Sequence, residues 1–255
     1  MGGTRLRDEF NKQTDIDPVA ESWELSCHHD GQSIISNGEF SGKTLAQYIE
    51  TVGKQVIGTK APKDKDFPIL IKFIDAKQSL SVQVHPDDKY ALLHEGESGK
   101  TEMWYVMDAT PDATLIYGFT HEISHQEFER RIKDNTLLEV CNQVPIKKGD
   151  VFFIEAGTLH AIGAGALIAE IQQSSNSTYR VYDYGRVGKD GKLRELHIEK
   201  ALAVTKLEPP TRKPEPIAKL TAFADYDLTI LAQCELFNVS HFDLHGNCSL
   251  NAKKR

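Results

Sequence analysis

Residues Ser81-Val82-Gln83-Val84-His85-Pro86 alternate polar and apolar side chains with a period of two. That period belongs to a β-strand, in which successive side chains point to opposite faces. Ser81, Gln83 and His85 therefore share one face, and Val82 and Val84 pack on the other. A strand that shows a hydroxyl, an amide and an imidazole in one row has a polar task on that face. An amide and an imidazole two residues apart can reach one metal ion together.

The same device recurs downstream. Over Lys100–Met107, Lys100, Glu102 and Trp104 share a face, against Thr101, Met103 and Tyr105. The turn Ala156-Gly157-Thr158 delivers His160 onto a strand Leu159–Ile162. In the strand Ala166–Gln173, Glu170 and Gln172 lie together, and in Tyr179–Tyr184 so do Arg180, Tyr182 and Tyr184. Short strands joined by glycine turns, with few helices, indicate a mainly β chain built as a sandwich or barrel. A small barrel fills its interior with apolar side chains, so inward polar rows imply a wet or metal-occupied pocket at its mouth.

Further strands are expected at Trp23–Ser26 and Phe67–Ile74, and at Ala113–Tyr117. The last is read as the hairpin partner of Lys100–Met107 through a turn at Pro111-Asp112. Helices are expected at Lys43–Val52, from an Asp87 cap to His94, from a Ser124–Glu127 capping box to Lys133, at Asn135–Cys141 and at His197–Val204. Residues 59–66 read as a polar loop.

A length of 255 residues allows a sizeable core, and 40% hydrophobic with 26% charged residues is ordinary for a soluble globular chain. The net charge of -7 disfavours a nucleic-acid partner but leaves room for a small phosphorylated ligand. The longest apolar runs are too short to span a bilayer, and no apolar leader opens the chain. Cys27, Cys141, Cys234 and Cys248 form no CxxC pair and read as reduced cytoplasmic thiols. Pro209, Pro210, Pro214 and Pro216 make 206–217 a linker between a domain at 1–205 and a small β-unit at 218–255.

Gln83, His85, Glu102 and His160 are the candidate metal ligands. Two imidazoles, a carboxylate and an amide oxygen suit Zn²⁺ with a position left for water or substrate. Two histidines and one carboxylate also suit Fe(II). The plain alternative is a pair of hydrogen-bonded core histidines and a surface glutamate. The remaining histidines read as surface or core residues.

Four ordered blocks carry a resemblance. They are Ser81–Pro86, Gly99–Tyr105 (Gly-Lys-Thr-Glu-Met-Trp-Tyr), Ala156–Ile162 (Ala-Gly-Thr-Leu-His-Ala-Ile) and Gln172–Tyr184 (Gln-Gln-Ser-Ser-Asn-Ser-Thr-Tyr-Arg-Val-Tyr-Asp-Tyr). Across roughly residues 1–245 the chain resembles type I mannose-6-phosphate isomerases of the short bacterial form. The resemblance implies a cupin (jelly-roll) β-sandwich with a small helical insertion, here about 121–141, and a second β-domain. It implies interconversion of mannose 6-phosphate and fructose 6-phosphate through an enediol, with one zinc ion per chain on Gln83, His85, Glu102 and His160. It also implies an active-site Arg180, with Lys100 and Glu170 in the pocket and Ser81, Lys100 and Arg180 as substrate contacts. An enediol route needs a base near C1 and C2, a positive group for the oxyanion and an anchor for phosphate. Arg180 can stabilise the enediolate, whereas Lys100 and Glu170 remain alternatives as proton carrier.

Two features depart from the family pattern. Met1-Gly2-Gly3 stands where a Trp-Gly-Gly segment ends in the family, and a polar tail from Gly246 stands where its second β-domain continues. Both ends therefore read as truncated, and the second β-domain as partial. The readings that compete with the isomerase are an Fe(II) cupin oxygenase and an inactive sugar-phosphate-binding remnant. A soluble monomer or homodimer acting on a small sugar phosphate is expected, with neither nucleic acid nor membrane as partner.

Overall fold

The structure, a computed structural model, describes residues 2–58, 67–188 and 191–249. The expected loop 59–66 and the tail end 250–255 lie outside the described residues. In chain order the strands are β1 (Glu21–Leu25), β2 (Ile69–Ala76), β3 (Val82–Val84), β4 (Glu102–Ala109), β5 (Thr114–Phe119), β6 (Cys141–Pro145), β7 (Val151–Ile154), β8 (His160–Ile162), β9 (Ala166–Gln173), β10 (Tyr179–Tyr182), β11 (Thr221–Ala222), β12 (Tyr226–Gln233) and β13 (Asn238–Leu244). The helices are α1 (Arg5–Asp8), α2 (Leu45–Val52), α3 (Asp88–His94), α4 (His125–Lys133) and α5 (Ile198–Val204).

Two five-stranded antiparallel sheets, ordered β1-β2-β9-β4-β7 and β10-β3-β8-β5-β6, face each other. Ile74, Trp104, Phe152 and Ile168 from the first meet Leu115, Tyr117 and Ile162 from the second in one buried cluster. This is the mainly β sandwich that the period-two patterns call for, of the cupin type that the resemblance implies. Each sheet also has an apolar outer face. On the second sheet, Val82, Val84 and Val181 are covered by Phe128 of α4, Ala201 of α5 and Leu137. The helical insertion thus hides the apolar side of the strand whose other side is polar. On the first sheet, Met103, Val151 and Phe153 are covered by Leu231, Ala232 and Phe237 of the three-stranded sheet β11-β12-β13. The proline-rich stretch lies against the sandwich as well, with the Arg212 guanidinium 3.9 Å from the centre of the Phe153 ring. Gly118, at φ +67, is a position where a Cβ would stand 2.6 Å from the Pro210 ring.

Several elements differ from the sequence reading. Lys100–Met107 and Ala113–Tyr117 are not hairpin partners. β4 pairs with β7 and β9, and β5 with β6 and β8 in the opposite sheet. The turn exists, with Ala113 N–H donating to Thr110 O at 3.0 Å. Tight hairpins require a positive φ in the turn, and Pro111 has φ fixed near −65°, so the turn splays its flanks and sends the chain across the sandwich. Asn135 takes a left-handed φ of 58°, which reduces the second expected helix to a single 3-10 turn at Leu137–Glu139. Ser124 caps α4 by accepting from Glu127 N–H at 3.1 Å. The reciprocal half of a capping box is replaced by an ion pair, because the Glu127 carboxylate takes Arg131 Nε at 2.8 Å. β3 is only three residues long, and Tyr184, at φ 58°, leaves the β10 face. The other expected strands and helices form, each within a few residues of its expected limits.

Candidate active site

Strand register assembles the site from two facing rungs. On the second sheet Arg180 pairs with Gln83, Gln83 with His160, and His160 with Tyr117. On the first sheet Lys72 pairs with Glu170 and Glu170 with Trp104, while one period further along Glu102 pairs with Gln172. Side chains directly opposite each other on one face lie about 5 Å apart at Cβ. Strands far apart in sequence therefore bring their polar groups together between the two sheets. His85, Glu102 and His160 are at most 1% exposed.

The histidines are held in one protonation form. His85 Nδ1 lies 2.9 Å from Ser177 O, and His160 Nδ1 lies 2.8 Å from Thr158 O. A carbonyl only accepts, so both Nδ1 atoms carry hydrogen and donate. Burial keeps the two rings neutral, with the pKa of His160 pushed down to about 4 and that of His85 well below its ordinary value. Both Nε2 atoms therefore bear lone pairs, yet they face each other at 3.1 Å. Glu102 Oε1 is 3.3 Å from His160 Nε2, and Oε2 is 3.6 Å from His85 Nε2. Neither carboxylate oxygen has a hydrogen-bond partner among the described residues. The Gln83 amide nitrogen lies 3.5 Å from His160 Nε2. A half-turn of the amide would exchange its oxygen and nitrogen and bring a fourth acceptor to that point.

Two imidazole nitrogens and a carboxylate that converge with their lone pairs on one point fit a cation. A tetrahedral zinc with bonds of about 2.0–2.1 Å has ligand–ligand edges of about 3.3 Å, and the separations here run from 3.1 to 3.6 Å. Without a cation, burial and the charge of Glu170 push the Glu102 pKa up to about 8, against the pull of Lys100 and Lys72. A bound divalent ion reverses that balance. Gln83, His85, Glu102 and His160 thus lie together as a set that fits a metal ion.

Lys100 Nζ stands 3.4 Å from Glu102 Oε2. Burial works to lower its pKa, but Glu102, Glu170 and Glu21 outweigh that and raise it. Glu170 accepts from Trp104 Nε1 at 2.8 Å and lies 3.7 Å from Lys72 Nζ. Burial acts to raise its pKa, but Lys100, Lys72 and the Trp104 hydrogen bond lower it, so the carboxylate stays ionised. Arg180 Nε is 3.3 Å from the buried Ser81 hydroxyl, and its guanidinium also donates to Glu195 O at 2.8 Å. Burial and the neighbouring Arg194 lower the Arg180 pKa.

Sequence reasoning missed Lys72. It is buried beside Glu170, and its ammonium sits 4.7 Å from the centre of the Trp23 ring. The available signal was a lysine in the otherwise apolar run Phe67–Ile74. Arg186 and Arg194, which both pair with Asp183, were missed too. A second group of metal-ligating type, His28, His29 and Asp30, does not fit a cation. His28 Nδ1 already accepts from Asp30 N–H at 3.2 Å, and Nε2 faces Glu97 at 3.2 Å.

Fold and centre together define a cupin-type sandwich with a buried histidine–glutamate cluster that fits a metal ion, with lysines and an arginine near it. Residues 1–115 match the model of the phosphomannose isomerase type I catalytic domain. A probable mannose-6-phosphate isomerase of Bacillus subtilis, GmuF, is 41% identical over 97% of this chain and 77% of its own length. The mannose-6-phosphate isomerase of Streptococcus mutans is 39% identical over 98% and 77%. The crystal structure of mannose 6-phosphate isomerase from Bacillus subtilis superposes with a TM-score of 0.88 at 37% identity, covering 96% of this chain and 76% of that one. The chain belongs to the type I phosphomannose isomerase family. Among the described residues no helix is long and apolar enough to cross a membrane.

Proposed function

We propose that this protein is a zinc-dependent mannose-6-phosphate isomerase that interconverts mannose 6-phosphate and fructose 6-phosphate in the cytoplasm. The observation that carries the reading is the convergence of the His85, Glu102 and His160 lone pairs beside Lys100, a pairing of metal site and positive charge suited to an enediolate. Gln83, His85, Glu102 and His160 would hold the zinc, which supplies Lewis-acid polarisation of sugar oxygens.

The remaining roles fall to this chain's own side chains. Glu170, kept ionised, is suited to carry the proton between C1 and C2. Lys100, kept protonated, is suited to donate to the oxygen on which negative charge develops. The raised pKa of Lys100 favours this division over the reverse. Lys72 holds Glu170 in place and charged. Arg180 reaches Ser81, and Arg186 and Arg194 add positive charge near Arg180, with the Asp183 carboxylate taking up part of it. That surplus of positive charge beside a hydroxyl suits a phosphate dianion. We assign 1–205 as the catalytic unit, 206–217 as a strap and the β11-β12-β13 sheet as a unit packed on it.

The test is a coupled assay for fructose 6-phosphate on freshly purified protein, with metal analysis of the same sample. Isomerisation with about one zinc per chain supports the reading. Stoichiometric zinc with no turnover leaves a sugar-phosphate-binding remnant, and iron in place of zinc favours an oxygenase.

A further inference from the structure

We propose that Glu97 is a positioning residue for the metal centre, acting through Ser177 on the ring of His85. The inference rests on His85 being a ligand. His85 offers Nε2 to a metal only while Nδ1–H is engaged, and its Nδ1 partner is the Ser177 carbonyl at 2.9 Å. Ser177 belongs to neither β9 nor β10. It lies in the connection between them, where no ladder of backbone hydrogen bonds sets its position. Side chains set it instead.

Glu97 is the centre of that arrangement. Its Oε1 accepts a short hydrogen bond from the Ser177 hydroxyl. Its Oε2 accepts from Asn176 N–H at 3.3 Å and from His28 Nε2 at 3.2 Å. The same loop contributes a second clamp, for Glu95 Oε1 accepts from Tyr179 O–H at 2.6 Å and from Lys200 Nζ at 2.8 Å. Asn176, Ser177 and Tyr179 are thus gripped by a loop that leads on to Lys100 and Glu102. The Ser177 partner of the His85 ring is tied by a glutamate outside the ligand set. Nor is Glu97 needed to close a core, since its side chain is 24% exposed.

Partners that orient a ligating imidazole cost about 10- to 100-fold in metal affinity when lost. Glu97 acts one bond further out, so we expect roughly three- to ten-fold weaker binding in Glu97→Ala, by scaling down that range. Glu97→Gln keeps an acceptor for the Ser177 hydroxyl and should retain most of the affinity. Zinc affinity is measured on the full chain by competition with a chromogenic chelator, alongside the melting temperature of the metal-free protein. Ring ¹⁵N spectra of His85 report which nitrogen carries the proton.

The expected result is weaker zinc binding in Glu97→Ala, partial recovery in Glu97→Gln and loss of a single Nδ1–H form of His85. Wild-type zinc affinity with an unchanged His85 spectrum in a folded Glu97→Ala protein overturns the inference. Should Glu97→Ala fail to fold, Ser177→Ala removes the same hydrogen bond and keeps the carbonyl, and unchanged affinity there is equally fatal. The wild-type protein and His85→Ala serve as controls. If wild type binds no zinc, or His85→Ala binds it normally, it is the ligand assignment that fails, and the inference falls with it.

Discussion

Replacing Lys72 by methionine tests how the site keeps its base charged. Lys72 Nζ and Glu170 Oε1 are 3.7 Å apart, with side chains only 6% and 5% exposed. At an effective dielectric constant of about 20, two unit charges at that separation attract by roughly 4.5 kcal/mol. Lys100 and the Trp104 hydrogen bond remain in the variant and offset part of that loss, so the Glu170 pKa should rise. The acidic limb of kcat/KM reports the ionisation of the free enzyme's base, and it should move to higher pH. Stability should fall too, since breaking a buried ion pair from one side costs about 3–5 kcal/mol.

The sign of the pH dependence follows from the depressed folded-state pKa of Glu170. Such a group stabilises above its unfolded value of about 4.3, and the contribution is lost as pH falls through the folded value. The gap between wild type and Lys72→Met should therefore be widest near neutral pH and close in acid. Coupled assays across pH, with urea unfolding at pH 7.5 and pH 4.5, measure both effects. An unmoved acidic limb together with wild-type stability would show that Lys72 does not govern Glu170, and that Glu170 is not the base.

His85→Ala and His160→Ala should each lose zinc and turnover together, and full metal occupancy in either would remove that residue from the ligand set. Arg180→Lys should fold and bind zinc but lose most of its turnover, because lysine cannot reproduce the two-sided grip on Ser81 and Glu195; wild-type rates in this variant would make Arg180 structural. Limited proteolysis should cut first within 206–217. Because Leu231, Ala232 and Phe237 are buried against the sandwich, thermal unfolding should still show one transition, and two separated transitions would mean that the C-terminal sheet is held independently.

The period-two rows were enough to read the mainly β class, the polar face of β3 and the side chains of the candidate ligand set. Local pattern determines which way a side chain points from its own strand, so Gln83 with His85 and Glu170 with Gln172 were legible as pairs. Caps were legible for the same reason: the Asp87 side chain accepts from Tyr90 N–H at 2.8 Å, as its place before a helix implies. What lies across a strand was not legible, because pairing depends on the path of the whole chain. The apparent hairpin of β4 and β5 is a crossing between sheets, and only that crossing lets Glu102 face His160. Lys72 looked like an anomaly in an apolar run until register set it beside Glu170. The proposed division of roles between Lys100 and Glu170 likewise draws on burial and on charges brought from distant segments, neither of which is local in sequence.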